Sequence, residues 1–490
     1  MPAEKPFAGI GRETNEGYVA GEFEAPDVSD YVVAELRYEM PVAYTASRFT
    51  APAPAAPQAD GLNDILGRFD IKRIRSQFGL NASTVRSRVE VAAALPPEPH
   101  PATFADRGMD TDFIQSGFVQ VVPQRAQDAR QLAEALDQSD AVWEAHVAPR
   151  PVPAAVVNGS AAGSRNFEPA QGYLHSPPDG IGAAEVWSLP GARGKGVTIC
   201  DIEGNWNRSH EDLPTGIPLL GGTVITDLGW RNHGTAVLGE VISIPDAKGT
   251  VGISHEAKGA VHSAVVNGVF NAAAAITNAA AALSAGDIIL IELQATGPNG
   301  KYVAMQYWGD IFSAIVAATA KGITVVEAAG NGNEDFELPV FAGTGLQKDS
   351  GAIVVGAGIP PTNHFDNDRA YASIGVPRSR IWFSNHGRIV NVQGWGWHVT
   401  TLGYGDAQGG AQNRWYTLRF SGTSSASPII TGAVACLQGR SKAKNAAPLA
   451  PSQVRQILMS TGTSQVAGPG VPVTQQIGPL PNLPAAMQQV

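Results

Sequence analysis

Short apolar runs that alternate with helix-forming segments dominate residues 196–356 of this chain of 490 residues. The apolar runs are 196–202, 260–266, 287–293, 323–329 and 352–356. The segments of helical character are 233–244, 272–285 and 311–321. Apolar strands separated by helices are typical of a parallel sheet covered by helices on both faces. The pattern therefore predicts an α/β fold, in which catalytic groups gather at the carboxyl ends of the strands.

The composition argues against several classes of function. The net charge is −10 and no run is rich in Lys or Arg, so we do not expect nucleic acid as the partner. No window approaches ~18 uninterrupted apolar residues, so we expect no membrane span. Cys200 and Cys436 lie in apolar segments and are expected to be buried free thiols. The first residues lack an apolar stretch, so we expect no ordinary signal peptide, and the compartment stays open between cytoplasm and leaderless export.

Changes in composition divide the chain into four parts. Residues 1–60 are poorly patterned and end in APAPAAPQAD, a Pro/Ala linker. Residues 61–150 predict a small α+β module. A second linker, rich in Pro, Ala, Gly and Ser, covers 151–171. Residues 172–490 hold the predicted α/β domain.

The α+β module contains a strand–helix–strand pattern, with strands at 118–122 and 142–147 around a helix at 126–136. The residues of this helix that are expected to face inward are Ala129, Leu132, Ala133 and Leu136. The pattern allows two interpretations, an independent module or an extension that packs on the main domain.

The stretch GTSSASP, residues 422–428, predicts a turn that leads directly into a buried helix. Gly422 permits a tight backbone, and Thr423, Ser424 and Ser425 are residue types that cap helices. The helix N-terminus favours negative charge, so a serine there is well placed to stabilise an oxyanion. Taken alone, an ordinary capping serine is the simpler interpretation.

Three other polar residues follow apolar strands or precede a helix in the same domain. Asp201 ends the first apolar run, where a partly buried carboxylate could orient an imidazole. His233 precedes a helix expected from Thr235 onward, and Asn331, flanked by glycines, follows the strand ending at Ala329. Each alone is explained by a structural role such as a cap or a turn. Together with Ser424 they form the set required for nucleophilic catalysis.

In these four stretches the chain resembles the subtilisin-like serine proteases. The stretches are DIEGNWNRSHEDL, NHGTAVLGE, VVEAAGNGN and GTSSASP. The order acid, histidine, serine is that of subtilisin. The resemblance implies a subtilisin-like central parallel sheet with Ser424 as the nucleophile, His233 as the general base and then acid, and Asp201 as the orienting carboxylate. It also implies that Asn331 and the Ser424 backbone N–H hold the oxyanion.

The chain departs from the family pattern at three carboxylates. Glu203 lies two residues after Asp201, which on a strand places it on the same face. There it would either alter the pKa of the histidine or face solvent beyond the end of the strand. Glu292 stands where the family commonly has serine, in the run that lines the first substrate pockets. Glu327 replaces a small apolar residue before Asn331. The resemblance implies that substrate pairs with Gln294, Ala295, Thr296 and Gly297, while the subsite preference stays open.

The family often binds calcium, and the chemistry requires no cofactor. Asp212 and Asp246 match positions that help form one calcium site, and Gln171 could add an oxygen ligand. A capping role for Asp212 and an ordinary turn at Asp246 are equally compatible with the sequence.

The resemblance implies an endopeptidase that acts on proteins through an acyl-enzyme. The module at 61–150 resembles, in position and element order, the propeptide of the family, so the partner that restrains the enzyme is either this region or a separate inhibitor. Residues near 145–165 would then lie in the active cleft and be cut. Two other functions remain open at this point, an esterase or transacylase with the same triad and an inactive binding scaffold.

Overall fold

The computed structural model describes residues 30–38, 40–92, 111–152, 164–361 and 374–490. Up to residue 152 the chain builds a four-stranded antiparallel sheet and a short hairpin. The strands are β1 (Val32–Leu36), β2 (Ala43–Tyr44), β3 (Phe49–Thr50), β4 (Ile71–Ser76), β5 (Phe118–Pro123) and β6 (Val142–Val147). The sheet has the order β4-β5-β1-β6, and β2 pairs with β3.

The helices of this N-terminal region are α1 (Ala56–Leu66), α2 (Ala82–Ala92), α3 (Thr111–Ser116) and α4 (Ala129–Asp137). The four residues of α4 that were predicted to face inward are all buried. Strand alternation separates two apolar faces of the sheet. Val32 packs into the core shared with α1 and α4, whereas Val33 packs into a core shared with the second half of the chain. The region therefore docks on the main domain through one face of its sheet.

The main domain contains a seven-stranded sheet in which every pairing is parallel. Its order is β17-β16-β15-β12-β7-β9-β8. The strands of the domain are β7 (Thr198–Glu203), β8 (Leu219–Gly221), β9 (Lys258–Ser263), β10 (Val265–Val266), β11 (Val269–Phe270), β12 (Ile288–Ile291), β13 (Gln294–Thr296), β14 (Tyr302–Ala304), β15 (Thr324–Ala328), β16 (Ile353–Gly358), β17 (Val390–Trp395), β18 (Val399–Leu402) and β19 (Tyr416–Phe420). The five apolar runs correspond to the five inner strands, and the edge strands β8 and β17 were not predicted.

Helices cover both faces of this sheet, as predicted. The helices are α5 (Ala183–Val186), α6 (Leu228–Ile242), α7 (Ala272–Ala282), α8 (Gly309–Ala320), α9 (Thr423–Ala443), α10 (Pro451–Thr461) and α11 (Leu483–Ala486). Ile288 and Leu290 of β12 share a core with α6 and α9. Ile289 and Ile291 share the opposite core with α7 and α8. This alternation decides which polar residues at the strand ends can meet.

The two cysteines lie on opposite sides of the sheet. Cys200 belongs to the core with α7 and α8, and Cys436 belongs to the core with α6 and α9. Both are buried free thiols, as expected from their apolar surroundings. Within the described parts of the chain, no helix is both long and apolar enough to cross a membrane.

Candidate active site

The helix that carries His233 begins earlier than the sequence predicted. It starts at Leu228, and the Asp227 carboxylate caps it by accepting a hydrogen bond from the Trp230 N–H at 3.0 Å. His233 therefore lies inside α6, with 1% of its side chain exposed. Its ring packs edge-on against Phe420, the last residue of β19, with ring centroids 5.3 Å apart. This contact fixes the imidazole next to the segment that leads to Ser424.

The carboxylate that contacts His233 is Glu203, which corrects the expectation for Asp201. His233 Nδ1 lies 2.5 Å from Glu203 Oε1. Asp201 instead accepts a hydrogen bond from Trp206 Nε1 at 2.7 Å through Oδ2. Both carboxylates face α6, because residues 200 and 202 point to the other side. Glu203 is the last residue of β7, and its carboxylate reaches the imidazole. The Asp201 carboxylate, two residues earlier in the strand, is engaged by Trp206 instead.

Burial controls the charges around His233. It lowers the pKa of His233 to about 4, while the nearby Asp201 charge acts in the opposite direction. Burial also raises the pKa values of Glu203 and Asp201 well above their ordinary values. The imidazole is consequently neutral at rest and able to accept a proton. Among the described residues, His233 Nε2 has no hydrogen-bond partner.

Asn331 is held with its amide oxygen turned away from the cleft. Asn331 Oδ1 accepts hydrogen bonds from the Thr423 N–H at 2.8 Å and the Thr423 hydroxyl at 3.1 Å. The Asn331 backbone N–H donates to Gln294 Oε1 at 2.8 Å. The Nδ2 group is buried and has no partner in the described part of the chain. A preorganised donor of this kind suits a developing oxyanion.

Ser424 is the second residue of α9, and its side chain is buried. The residue that caps this helix is Gly422, with φ of +121°, and not the Thr/Ser cluster that was expected to cap it. This φ lies in a region that side chains disfavour, which explains glycine at the turn. The N–H groups of the first helical turn have no partner within the helix, so the Ser424 N–H can serve as a second oxyanion donor. Pro428 lies inside the helix, beyond its first turn.

One edge of the strand that was predicted to bind substrate is already paired with another strand of this chain. β13 is antiparallel to β14, with Gln294 opposite Ala304. The Gln294 carbonyl also accepts a hydrogen bond from the Val152 N–H at 3.3 Å. Val152, at the start of the second linker, therefore contacts Gln294, where a peptide substrate is expected. Ala295 is buried, Thr296 is exposed, and the Gly297 N–H donates to the Lys301 carbonyl at 2.7 Å.

The residues that match a calcium site form hydrogen bonds within the protein, whereas Asp212 Oδ1 is buried and has no partner among the described residues. Asp212 Oδ2 accepts hydrogen bonds from the Thr250 N–H at 2.8 Å and hydroxyl at 3.0 Å. Gln171 Oε1 accepts a hydrogen bond from the Val251 N–H at 2.7 Å, and Gln171 Nε2 donates to the Val251 carbonyl at 2.9 Å. Burial raises the pKa of Asp212 to about 8, which favours a neutral carboxyl. Asp246 is exposed and accepts from a backbone N–H. In the described ranges, no three His, Cys, Asp or Glu side chains are grouped suitably for a metal.

Two of the three unusual carboxylates belong to the site, but the sequence did not predict that Glu203 orients His233 and gave Glu292 no catalytic role. Glu203 contacts His233, and its position two residues after Asp201 was the available signal. Glu292 is buried and contacts Ser427 on α9. Glu327 lies on the opposite side of the sheet, because its neighbour Val326 faces the core with α6 and α9. Its Oε1 accepts the Gln306 N–H at 2.8 Å, so it is a structural residue.

Comparisons with known proteins agree with this architecture. The sequence profile of the subtilase family matches residues 194–478, more than half of the chain. No curated protein matches the sequence. Fervidolysin from Fervidobacterium pennivorans, described as a keratinolytic enzyme related to subtilisin, is 15% identical over 96% of this chain and 62% of its own, with a TM-score of 0.51. A protease from Pseudoalteromonas arctica is 20% identical over 66% of this chain and 98% of its own, with a TM-score of 0.46. At 15% identity the likeness to fervidolysin concerns the fold alone.

Proposed function

Because this chain belongs to the subtilase family and is a serine endopeptidase, we propose that it cleaves proteins through an acyl-enzyme formed on Ser424. His233 acts as the general base and Glu203 as the carboxylate that orients it. The observation that carries the proposal is the hydrogen bond between His233 Nδ1 and Glu203 Oε1, which leaves Nε2 available for the Ser424 proton. Glu203 thereby takes the role that the resemblance alone gave to Asp201.

The reaction follows from these contacts. Ser424 Oγ attacks the peptide carbonyl carbon while His233 Nε2 takes the hydroxyl proton. Asn331 Nδ2 and the Ser424 N–H stabilise the oxyanion, and Glu203 stabilises the imidazolium. His233 then gives the proton to the leaving amine as the C–N bond breaks. Water attacks the acyl-enzyme by the same route, and Ser424 regains its proton.

The N-terminal region, residues 30–152, acts in this proposal as the chain's own restraint. The Val152 N–H contacts the Gln294 carbonyl, which supports occupation of the substrate strand. Tyr31 donates to the Phe270 carbonyl at 2.6 Å, and Asn271 Nδ2 donates to the Gln77 carbonyl at 2.8 Å. Asn271 also caps α7, so the region docks at the N-terminal end of that helix. Cleavage of the linker after Val152 would release the cleft.

Labelling with a serine-directed fluorophosphonate tests the proposed nucleophile. The wild-type protein is expected to form one adduct on Ser424 and to lose peptidase activity, whereas Ser424→Ala forms none. Ser425→Ala is the matched control, because Ser425 donates to backbone carbonyls of Gly422 and Trp395 and not to the site. An adduct on folded Ser424→Ala, or undiminished peptide cleavage by it, would refute the assignment.

A further inference from the structure

Glu292 lies beside the nucleophile, although the reaction above gives it no role. It directly follows β12 and is 1% exposed. Its Oε1 contacts Ser427 Oγ, one turn after Ser424 on α9. The Ser424 hydroxyl lies within hydrogen-bonding reach of the Glu292 carboxyl group and lowers its pKa, against the larger effect of burial. In the described structure, Oε2 has no hydrogen-bond partner. A buried carboxyl group thus borders the hydroxyl that must react.

The contacts of Ser427 indicate where the proton of Glu292 resides. Ser427 has a single hydroxyl hydrogen but two acceptors within reach, Glu292 Oε1 and the Thr423 carbonyl at 2.8 Å. The Thr423 carbonyl can only accept. When Ser427 donates to it, the contact with Glu292 requires a hydrogen from the carboxyl group. A protonated Glu292 therefore satisfies both contacts at once.

The charges around Glu292 also favour its neutral form. Asp201 and Glu203 face it from β7, and Glu240 faces it from α6. His233, also on α6, is the basic side chain of this site and is neutral at rest. Burial raises the pKa of Glu292 well above its ordinary value, the neighbouring carboxylates act in the same direction, and hydrogen bonds from the Ser427 and Ser424 hydroxyls act in the opposite one. An additional negative charge would be both desolvated and repelled there.

We propose that Glu292 is a positioning residue that must stay a neutral carboxylic acid for the enzyme to act. A carboxylate at this position would accept the Ser424 hydrogen in competition with His233 Nε2. It would also bring a negative charge close to the developing oxyanion. Ionisation of Glu292 therefore sets an alkaline limit on acylation. This proposal rests on the proposed role of Ser424 as the nucleophile.

The test compares the pH dependence of kcat/KM for peptide cleavage in wild type, Glu292→Gln and Glu327→Gln. The amide that Glu292→Gln introduces can donate to Ser427 but cannot ionise. Above the pH at which Glu292 ionises, wild-type kcat/KM should fall by about tenfold per pH unit, whereas Glu292→Gln should show no such fall. Glu327→Gln is the matched control, because burial raises the pKa of Glu327 to about 8 on the opposite side of the sheet. It should keep the wild-type profile.

Several outcomes would overturn the proposal. One is a folded Glu292→Gln with the wild-type alkaline limb, and another is a folded Glu292→Gln that is inactive at every pH. If the alkaline fall in kcat/KM shifts in Glu327→Gln and not in Glu292→Gln, the group that sets the limit is Glu327 and not Glu292. If Glu292→Gln does not fold, Glu292→Met replaces it, because Met has a similar volume and Ser427 keeps its hydrogen bond to the Thr423 carbonyl. Circular dichroism at each pH separates unfolding from loss of activity.

Failure of this proposal is distinguishable from failure of the proposed function. If Ser424→Ala retains activity, both proposals fall together. If Ser424→Ala is inactive and is not labelled, but Glu292→Gln keeps the wild-type profile, only the role of Glu292 is wrong. The rate of fluorophosphonate labelling gives a second readout, which should show the same alkaline fall in wild type and not in Glu292→Gln.

Discussion

Thr423 holds Asn331 through two hydrogen bonds to a single atom. The Thr423 N–H and hydroxyl both donate to Asn331 Oδ1, at 2.8 and 3.1 Å. The same hydroxyl accepts a hydrogen bond from the Gly330 N–H at 3.1 Å. The carboxyl end of β15 and the first residue of α9 are thereby joined, and the Asn331 amide has one favourable orientation. Its Nδ2 group remains available for a substrate oxyanion.

Substitutions at these two residues should lower kcat with little change in KM. Asn331→Ala removes a donor used only in the transition state, so we expect kcat to fall by about 10²–10³. Thr423→Val leaves the Gly330 N–H without its acceptor and removes one of the two hydrogen bonds that orient the Asn331 amide, so kcat should fall by about tenfold. Thr423→Ser keeps the hydroxyl and should restore most of the rate. A Thr423→Val enzyme with wild-type kcat would contradict the positioning role.

Glu203 and Asp201 should differ sharply in their contribution to the rate. Glu203→Gln cannot stabilise the imidazolium, so kcat/KM should fall by about 10⁴. Asp201→Asn keeps an oxygen for Trp206 Nε1, and its kcat/KM should stay within about tenfold of wild type. Steady-state kinetics on one peptide measures both. A larger loss in Asp201→Asn than in Glu203→Gln would return the orienting role to Asp201.

Ser424, His233 and Asn331 could be proposed as site residues from the sequence because each lies beside a distinctive local pattern. Apolar runs fix the strands, and the polar residues that follow them must meet at one edge of a parallel sheet. The choice between Asp201 and Glu203 was not accessible in this way. Both side chains face α6, and only the position of His233 within that helix, together with the Trp206 contact, selects between them.

Other features depend on contacts between segments that are distant in the chain. The Val152–Gln294 hydrogen bond joins residues that no local pattern relates. The calcium expectation depends on such contacts as well, since Thr250 and Val251 engage Asp212 Oδ2 and the Gln171 amide in the fold, whereas Asp212 Oδ1 has no partner among the described residues. Residue types predict possible chemistry, whereas the hydrogen-bond partners determine which oxygen atoms remain available.

The purified wild-type protein should lose its N-terminal region through its own activity. Intact mass and N-terminal sequencing over time should detect a new N-terminus within the linker after Val152. Ser424→Ala should keep the full mass of 51.1 kDa under the same conditions. Addition of a trace of wild type to Ser424→Ala separates cleavage within one molecule from cleavage between molecules. Loss of the region from Ser424→Ala alone would point to a contaminating protease.

Replacement of Val152 extends the same prediction, because it tests whether the backbone contact of this residue restrains the active site. Proline has no N–H, so Val152→Pro removes the hydrogen bond to the Gln294 carbonyl. We expect Val152→Pro to cleave an added peptide earlier than wild type, with a shorter lag. Val152→Ala keeps the N–H and serves as the matched control. Equal lags in the two variants would show that this contact does not limit access to the cleft.

Calcium should have little effect on the stability of the protein. Because Asp212 Oδ2 and both ends of the Gln171 amide are already hydrogen-bonded to Thr250 and Val251, a chelator should leave Tm unchanged within error. Thermal unfolding in EDTA and in millimolar calcium measures this directly. A calcium-dependent rise in Tm that disappears in Asp212→Asn would show that the site opens to bind the ion.

Asp212 should make the protein less stable as the pH rises. Burial raises its pKa in the folded state from 3.8 to about 8, so the folded state binds more protons than the unfolded state between these values. The free energy of unfolding contributed by Asp212 therefore decreases as the pH rises through this window. Asp212→Asn cannot ionise, and relative to wild type its free energy of unfolding should increase as the pH rises from 3.8 to about 8. Urea unfolding of both proteins at several pH values tests the sign, and a difference that stays constant would show that Asp212 is already ionised in the folded protein.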